Sequence, residues 1–382
     1  MKDLSMNNRN TYYLSASNLA LRVVAQGLLP LYPVLLTGQN ISSLWMGYFM
    51  AGLYVATFLG NWFSGKLLNK GFSLKKIVSF TYIPIVIGLL GMAFQSNYLH
   101  LFYFTAFMSF FNGINLNIST VILGSYSNGK NIMKNFAWIG LSSILATLFG
   151  GLLIGPSLHY FGNLASFICF AALIGFSSIF SLLLQEGSLK KTEKSDEDFH
   201  YDGQFIVLLV SLFILAMLIH FFKIGLSLKM KEIGYNISQI SIFSTLGTIL
   251  VVPMPFVLSF LNQKINAKTL LLSTHITTLI SFSFVYFFTK DIFFILAIGG
   301  VNYMAYCTRI PLMKIMHKMF AEYDFARAQT IYGSMVWLAA IFGYLGAGLI
   351  LEKAGFNTAF FVGGILAILS GLLFKFGISV KN

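Results

Sequence analysis

Arg22 stands almost at the middle of the first long apolar run of this chain, where a cation costs roughly 2.5 to 3.5 kcal/mol even on insertion scales. Asn18 and Gln26 lie four residues to either side and Ser15 a turn earlier, so a helix here carries one polar stripe on an otherwise apolar surface. Three further runs carry comparable stripes: Ser109, Asn112, Asn115 and Ser119; His220, Lys223 and Ser227; Asn302, Tyr306 and Arg309. Side chains of these types recognise a solute by charge and hydrogen bonding and leave its covalent bonds alone. Arg22 and Lys223 would hold an anionic group, and Gln26, Asn112, Asn115 and Asn302 would orient the remainder. His220 shares a face with Lys223 and is the side chain best suited to carry a proton near neutral pH. Each has a plainer use. An arginine can be tied to carbonyls or amides inside a bundle. Lys223 and Arg309, about 10 Å and about 7 Å from their helix midpoints at 1.5 Å per residue, can reach toward an interface. His275, alone on its run, reads as a packing histidine.

The stripes need apolar helices to hold them away from water. The 382 residues are 57% hydrophobic and 10% charged, with a mean hydropathy of +0.78, and a water-soluble domain could not hide that much apolar surface. The chain reads as about twelve runs of roughly twenty apolar residues, the length that crosses about 30 Å of hydrocarbon. The runs are continuous rather than alternating, which points to helices and away from a barrel. Spans are placed near 11–36, 43–65, 76–95, 99–123, 136–157, 164–184, 204–228, 238–260, 269–289, 292–316, 328–350 and 357–376. One charged stretch, Gln185 to Asp202, cuts the series at its midpoint. The expected architecture is an all-α membrane protein of two pseudo-symmetric six-helix bundles, 1–184 and 204–382, joined by a cytoplasmic charged linker over 185–203.

A formal charge of +13 could suggest nucleic acid, but in such a chain basic residues mark the cytoplasmic side. With the N-terminus inside, 18 of the 25 Lys and Arg fall in cytoplasmic segments or at the cytoplasmic ends of spans, 4 (Lys229, Lys231, Lys290, Lys353) in external segments and 3 (Arg22, Lys223, Arg309) further within spans. Both termini are therefore expected in the cytoplasm. The opening, MKDLSMNNRNTYYLSASNLALR, lacks an uninterrupted apolar core followed by a small-residue cleavage site, so no removable signal peptide is expected. Cys169 and Cys307 lie inside spans, one in each half, where they read as packing residues rather than a disulfide framework or metal ligands. There is no GxSxG elbow, HExxH, GxxxxGK[ST] loop or embedded acid pair, so neither an enzyme nor a self-contained ATP-driven pump is expected, and no cofactor. The expected partners are a small-molecule solute and the lipid bilayer, with the chain acting as a monomer. Ile, Phe, Asn and Lys usage with short loops points to a bacterial cytoplasmic membrane.

The halves repeat. Asn40, Ile41 and Ser42 recur as Asn236, Ile237 and Ser238, each triplet just before the second span of its half. Ala146 to Gly150 (ATLFG), followed by Gly155 and Gly162, is matched by Ala339 to Gly343 (AAIFG), followed by Gly348 and Gly355. Both matches keep an offset of about 193 to 196 residues, as duplicated six-helix units would.

The loop after the second span, Gly65 to Lys76 (GKLLNKGFSLKK), resembles the cytoplasmic signature of the major facilitator superfamily, which runs Gly, three residues, an acid, Arg or Lys, then a Gly and a basic pair. Gly65, Lys70 and the pair Lys75 and Lys76 fit, Asn69 stands in place of the acid, and one extra residue precedes the basic pair. Gln263 to Lys268 echoes it in the second half, again with an amide for the acid. The resemblance covers nearly the whole chain and implies a secondary transporter working by alternating access. Helices 1, 4, 7 and 10 would line its cavity, and these are the helices that carry the four stripes. In the superfamily the acid of this loop latches the outward-facing state. Asn69 and Lys70 are thus implied gating positions with a softened latch, and His220 and Arg309 are further candidates for coupling or gating.

Gly151, Gly155 and Pro156 form a GxxxGP pattern on the fifth span, and Gly343, Gly346 and Gly348 lie on the eleventh, where small residues let helices approach closely. In exporters of the superfamily a longer pattern on the fifth helix goes with antiport, whereas His159 and Tyr160 stand here in place of its closing glycine pair. Packing and antiport both remain open. None of the twelve Asp and Glu lies within a span; Asp291 and Glu352 sit at external helix ends and Glu232 in an external loop. Proton-driven members carry an embedded carboxylate, which this chain does not offer. An anionic or polar solute, moved by exchange, is favoured, and Arg22 and Lys223 resemble the basic residues that organic-anion and phosphate-ester exchangers place on helices 1 and 7. Two other readings stand beside it: an exporter of hydrophobic compounds with a pocket drawn from the 40 Phe and 15 Met, and a lipid transporter or non-transporting sensor of the same shape.

Overall fold

In hydrocarbon every backbone amide and carbonyl must find its partner within the protein, and a helix does this inside one segment. The computed structural model describes residues 2–70, 72–94, 97–125, 132–184, 203–320 and 322–379, and among them it is helical with no strand. The charged stretch 185–202, expected as the linker, lies outside the described residues. The helical segments are α1 (Lys2–Leu28), α2 (Tyr32–Thr37), α3 (Ser43–Asn69), α4 (Leu74–Ala93), α5 (Tyr98–Ser125), α6 (Ile132–Leu182), α7 (Gly203–Ile233), α8 (Ile237–Ile249), α9 (Met254–Lys264), α10 (Ala267–Phe287), α11 (Asp291–Cys307), α12 (Arg309–Met319) and α13 (Glu322–Gly377).

Among the described residues eight stretches are long and apolar enough to cross a membrane: Ser43–Leu68, Leu74–Ala93, Leu141–Leu182, Gly203–Ile233, Ile237–Leu258, Ala267–Phe287, Asp291–Met316 and Ala328–Gly377. Leu141–Leu182 and Ala328–Gly377 run for 42 and 50 residues, about twice the ~20 that one crossing needs. The helices α1 and α5, which carry the Arg22 and Asn112 stripes, are not among the eight.

Proline and asparagine set many of the boundaries. Pro30 falls between α1 and α2, and Pro253 between α8 and α9. The gap between α11 and α12 at Thr308 is explained by Pro311, which has no N–H to give to the carbonyl of Cys307. Asn236 caps α8 in a reciprocal box with Gln239, each side chain accepting from the other's amide at 2.9 Å. Its repeat counterpart Asn40 does a different job, taking a left-handed turn at φ 54 after α2. Asn266, within the second-half echo of the signature loop, is the N-cap of α10 and accepts from the Lys268 amide at 3.0 Å.

The repeated glycines have structural counterparts. Gly162 and Gly355 sit at φ 73 and φ 75, and at these points α6 and α13 each change from one helix to the next. Only glycine takes that conformation without strain. Gly150 and Gly343 mark crossings: a Cβ on Gly150 would lie 2.6 Å from the Val23 carbonyl oxygen, and one on Gly343 would run into the Met217 carbonyl. Span-to-span packing at the two repeated glycines is thus backbone against side-chain-free backbone.

The chain forms two compact units, Met1–Leu31 with Gly52–Lys194, and Tyr32–Ala51 with Ser195–Asn382. In the first, α1 packs along α6, and α4 packs against α5 and α6; in the second, α7 packs along α13, and α10 lies against α11 and α13. A core of the second unit joins Phe205, Leu212, Leu271, Met304, Leu312 and Phe374. Large apolar side chains such as Phe80, Tyr103, Phe176, Phe256 and Phe376 are exposed, as a lipid-facing surface requires. Two sequence readings change. Lys229, counted with the external basic residues, lies within α7 and is buried, its Nζ donating to the Val285 carbonyl at 2.7 Å near the end of α10. Cys169, read as a packing residue, is exposed, whereas Cys307 is buried.

Candidate functional site

In the first unit, α1 presents Arg22 to the start of the apolar part of α6. Its Nη1 donates to Ser143 Oγ at 2.5 Å and to Ser142 Oγ at 3.3 Å, and the side chain is half-buried. Both acceptors are neutral hydroxyls, so these bonds satisfy donors without cancelling the charge. One turn back, Asn18 is 5% exposed and anchors a network. Its Nδ2 donates to Ser119 Oγ at 3.0 Å, and the Tyr82 hydroxyl donates to its Oδ1 at 3.1 Å. Ser119 donates to Asn115 Oδ1 at 3.2 Å, and Asn115 Nδ2 donates to Thr81 Oγ1 at 2.8 Å. The chain of bonds ties α1, α4 and α5 together and uses the amide of Asn115, which is fully buried, inside the bundle. Gln26 and Asn112 are half-buried, and neither side chain is hydrogen-bonded among the described residues.

In the second unit, Lys223 is half-buried on α7, a turn from His220, with no hydrogen-bonded or acidic partner for its ammonium among the described residues. His220 is buried and its ring lies 5.1 Å from that of Tyr344 on α13. Asn302 is buried, its Nδ2 donating to Thr248 Oγ1 at 2.9 Å, which ties α11 to α8. Arg309 is exposed at the first position of α12. His275 is held between Ser211 Oγ at 3.0 Å and the Leu271 carbonyl at 3.1 Å, and it stacks on Phe374. In the signature loop Lys70 is exposed at the end of α3, while the side chain of Asn69 lies outside the described residues.

The structure therefore joins two of the sequence stripes, Asn18 meeting Asn115 through Ser119, and adds Ser142, Ser143, Tyr82 and Thr81, which the stripes alone did not single out. The tandem serine in the middle of an apolar run was the available signal. Among the described residues no group of three His, Cys, Asp or Glu is placed to hold a metal ion.

Among the described residues, eight apolar stretches long enough to cross a bilayer, with cations and amides on the helices, are those of a multi-pass membrane protein. A sequence model of the Major Facilitator Superfamily matches residues 14–222 and 205–382, and the chain belongs to that superfamily. No curated protein matches its sequence. Among solved structures, a point mutant of the nucleoside transporter NupG is similar with a TM-score of 0.80 at 13% identity, over 97% of this chain and 100% of that one. The POT family transporter PepTSo is similar with a TM-score of 0.79 at 10% identity, over 97% of each chain. A POT family transporter in complex with a thioalcohol-conjugated peptide gives 0.75 at 14%, over 95% of each.

Proposed function

We propose that this protein is a secondary transporter that moves a small anionic or polar solute by alternating access, by exchange rather than with a proton. The carrying observation is Arg22, a cation within α1 bonded to the neutral hydroxyls of Ser142 and Ser143, in a chain with no acid inside any predicted span. An anionic group is the complement that such a cation selects. In this reading Arg22 and Lys223 recognise the anion, and Gln26 and Asn112 orient the rest of the solute. Asn115 and Asn302, whose amides are already bonded within their units, set the shape of the surroundings. Binding would relieve repulsion among the basic side chains and favour the state that crosses, so loaded carrier moves and empty carrier does not. The nucleoside and peptide transporters of similar fold carry polar solutes, which is in keeping with a polar cargo.

The topology that goes with this function has twelve crossings and both termini in the cytoplasm. Broken helices α1 with α2, α8 with α9 and α11 with α12 count once each, α6 and α13 count twice across Gly162 and Gly355, and α3, α4, α5, α7 and α10 once each. The chain acts as a monomer in a bacterial cytoplasmic membrane. The experiment is thermal unfolding of the purified protein against phosphorylated and carboxylated compounds, with hydrophobic cations as the counter-set. A ligand at about 100 times its Kd adds about 2.7 kcal/mol to the folded state. Stabilisation by anions that disappears in Arg22→Gln is the expected result. Stabilisation by hydrophobic cations alone overturns the assignment in favour of an exporter of hydrophobic compounds.

A further inference from the structure

Near the end of α3 the Lys66 ammonium lies 3.7 Å from the centroid of the Trp62 ring, and at the end of α9 the Lys264 ammonium lies 4.5 Å from that of Phe260. Ring and lysine are four residues apart in both places, and the two pairs are separated by 198 residues, close to the offset of the internal repeat. The helix faces match as well. Val55, Leu59, Trp62 and Lys66 are exposed on α3, and so, at the same offset, are Pro253, Val257, Phe260 and Lys264 along α9 and its N-cap. Positions i, i+4, i+7 and i+11 of a helix form one continuous stripe. Each stripe is thus open and apolar along its length and cationic at its end.

An open apolar stripe on a membrane protein meets acyl chains, so the cation that ends it stands at the level of the headgroups. The ring holds each ammonium at that level, where a lone lysine would sweep through water. The chain supplies no counter-charge nearby in sequence: no Asp or Glu occurs between Val55 and Phe80 or between Pro253 and Lys290. Lys70, Lys75 and Lys76 instead add three cations after the first pair, and Lys268 adds one after the second. A free phosphate would answer the charge and leave the stripe bare, whereas a lipid with an anionic headgroup covers both. The two places are unequal. Tryptophan offers a cation a stronger face than phenylalanine, and Lys268 is engaged within its own unit, its Nζ donating to the Ile378 carbonyl.

We infer that Trp62 with Lys66, and Phe260 with Lys264, are two repeat-related sites for the headgroup of an anionic phospholipid, the first binding the more tightly. The inference is independent of the solute carried. Native mass spectrometry of the purified protein, titrated with phosphatidylglycerol, resolves successive bound lipids. Lys264→Gln should weaken the second binding step and leave the first site to be measured alone. Adding Lys66→Gln to it should then weaken the remaining site about fivefold, as expected for one lysine lost beside an anionic headgroup. Trp62→Leu, which keeps the ammonium and an apolar surface but removes the ring face, should weaken that site by less. Lys375→Gln, at an exposed lysine in the last turn of α13, should change neither step. Phosphatidylcholine, whose headgroup carries no net charge, should not distinguish the variants. All four substituted positions are exposed, so the variants should elute as the parent does. Equal weakening by Lys375→Gln would mean diffuse attraction to a basic surface and overturns the sites. Loss of phosphatidylcholine in step with phosphatidylglycerol, or displacement of the lipid by an equal concentration of inorganic phosphate, overturns the assignment to an anionic lipid.

Discussion

The Tyr82 hydroxyl donates to Oδ1 of Asn18 across 3.1 Å, and through this bond α4 is held to α1 one turn from Arg22. Asn18 passes the connection on to Ser119 and Asn115 on α5. Interhelical hydrogen bonds in membrane proteins are worth about 0.6 kcal/mol on average and about 1.7 at most, because the unfolded helices find other partners in the bilayer. Tyr82→Phe should therefore lower unfolding stability by about 0.6 kcal/mol in a denaturant titration in micelles. Asn18→Leu, which removes the bonds to both Tyr82 and Ser119, should cost about twice as much. Equal and negligible losses would show that the network is not coupled to folding.

The two repeated glycines should respond alike and differently from their neighbour. A Cβ on Gly150 meets the Val23 carbonyl and lies 2.8 Å from the Gly27 amide nitrogen; one on Gly343 meets the Met217 carbonyl and lies 3.1 Å from His220 Cβ. Backbone cannot swing aside as a side-chain tip can, so Gly150→Leu and Gly343→Leu should each cost about 1 to 3 kcal/mol or more. Gly346 on the same helix has nothing within 4 Å, and Gly346→Ala should stay within about 0.5 kcal/mol of the parent. Thermal unfolding of the three variants in one lipid mixture decides it, and a large loss at Gly346 would mean that the crossing is wrongly placed.

The residues themselves explain what could be read beforehand. Apolar length and the repeated Gly162 and Gly355 are local signals, and they do mark where long helices turn over. Neither α1 nor α5, which carry two of the stripes, is among the eight apolar stretches. Arg22 was legible from its position within an apolar run. Its partners Ser142 and Ser143 were not, because 120 and 121 residues separate donor from acceptor and only folding brings them together. Lys229 misled for a related reason: a lysine near a helix end looks like an anchor in water, and only the fold shows the Val285 carbonyl at the end of α10 waiting for it.

Tyr235, in the turn between α7 and α8, donates its hydroxyl to the Asp291 carboxylate at the start of α11. That hydrogen bond first, then burial and the carboxylate's charge, push the phenol from 10.0 up to about 12. The folded state thus keeps this proton where the unfolded chain has released it. The contribution is whole below pH 10 and is lost as pH rises from 10 through about 12. Denaturation midpoints measured from about pH 9 to about pH 12 should fall less steeply in Tyr235→Phe than in the parent. Parallel slopes would place the proton elsewhere.

Arg22 separates the roles of charge, hydrogen bonding and packing. Its guanidinium bonds two serine hydroxyls of α6, and in the carrier reading its charge meets the anion. Arg22→Gln keeps a donor for the serine hydroxyls, so insertion and monodispersity should survive. Removing a desolvated charge partner should nevertheless abolish stabilisation by anions. Arg22→Lys keeps the charge but not the planar fork, and should retain anion binding weakened by about tenfold or more. Ser143→Ala removes one neutral acceptor and no charge, so it should shift apparent affinity only a few-fold in either direction. Ligand-induced thermal shifts, titrated against a carboxylated and a phosphorylated compound, rank the three variants. If Ser143→Ala proves as damaging as Arg22→Gln while Arg22→Lys is silent, the arginine serves α1–α6 packing and the anion is bound elsewhere. If the order is Gln, then Lys, then the serine variant, the cation itself recognises the solute.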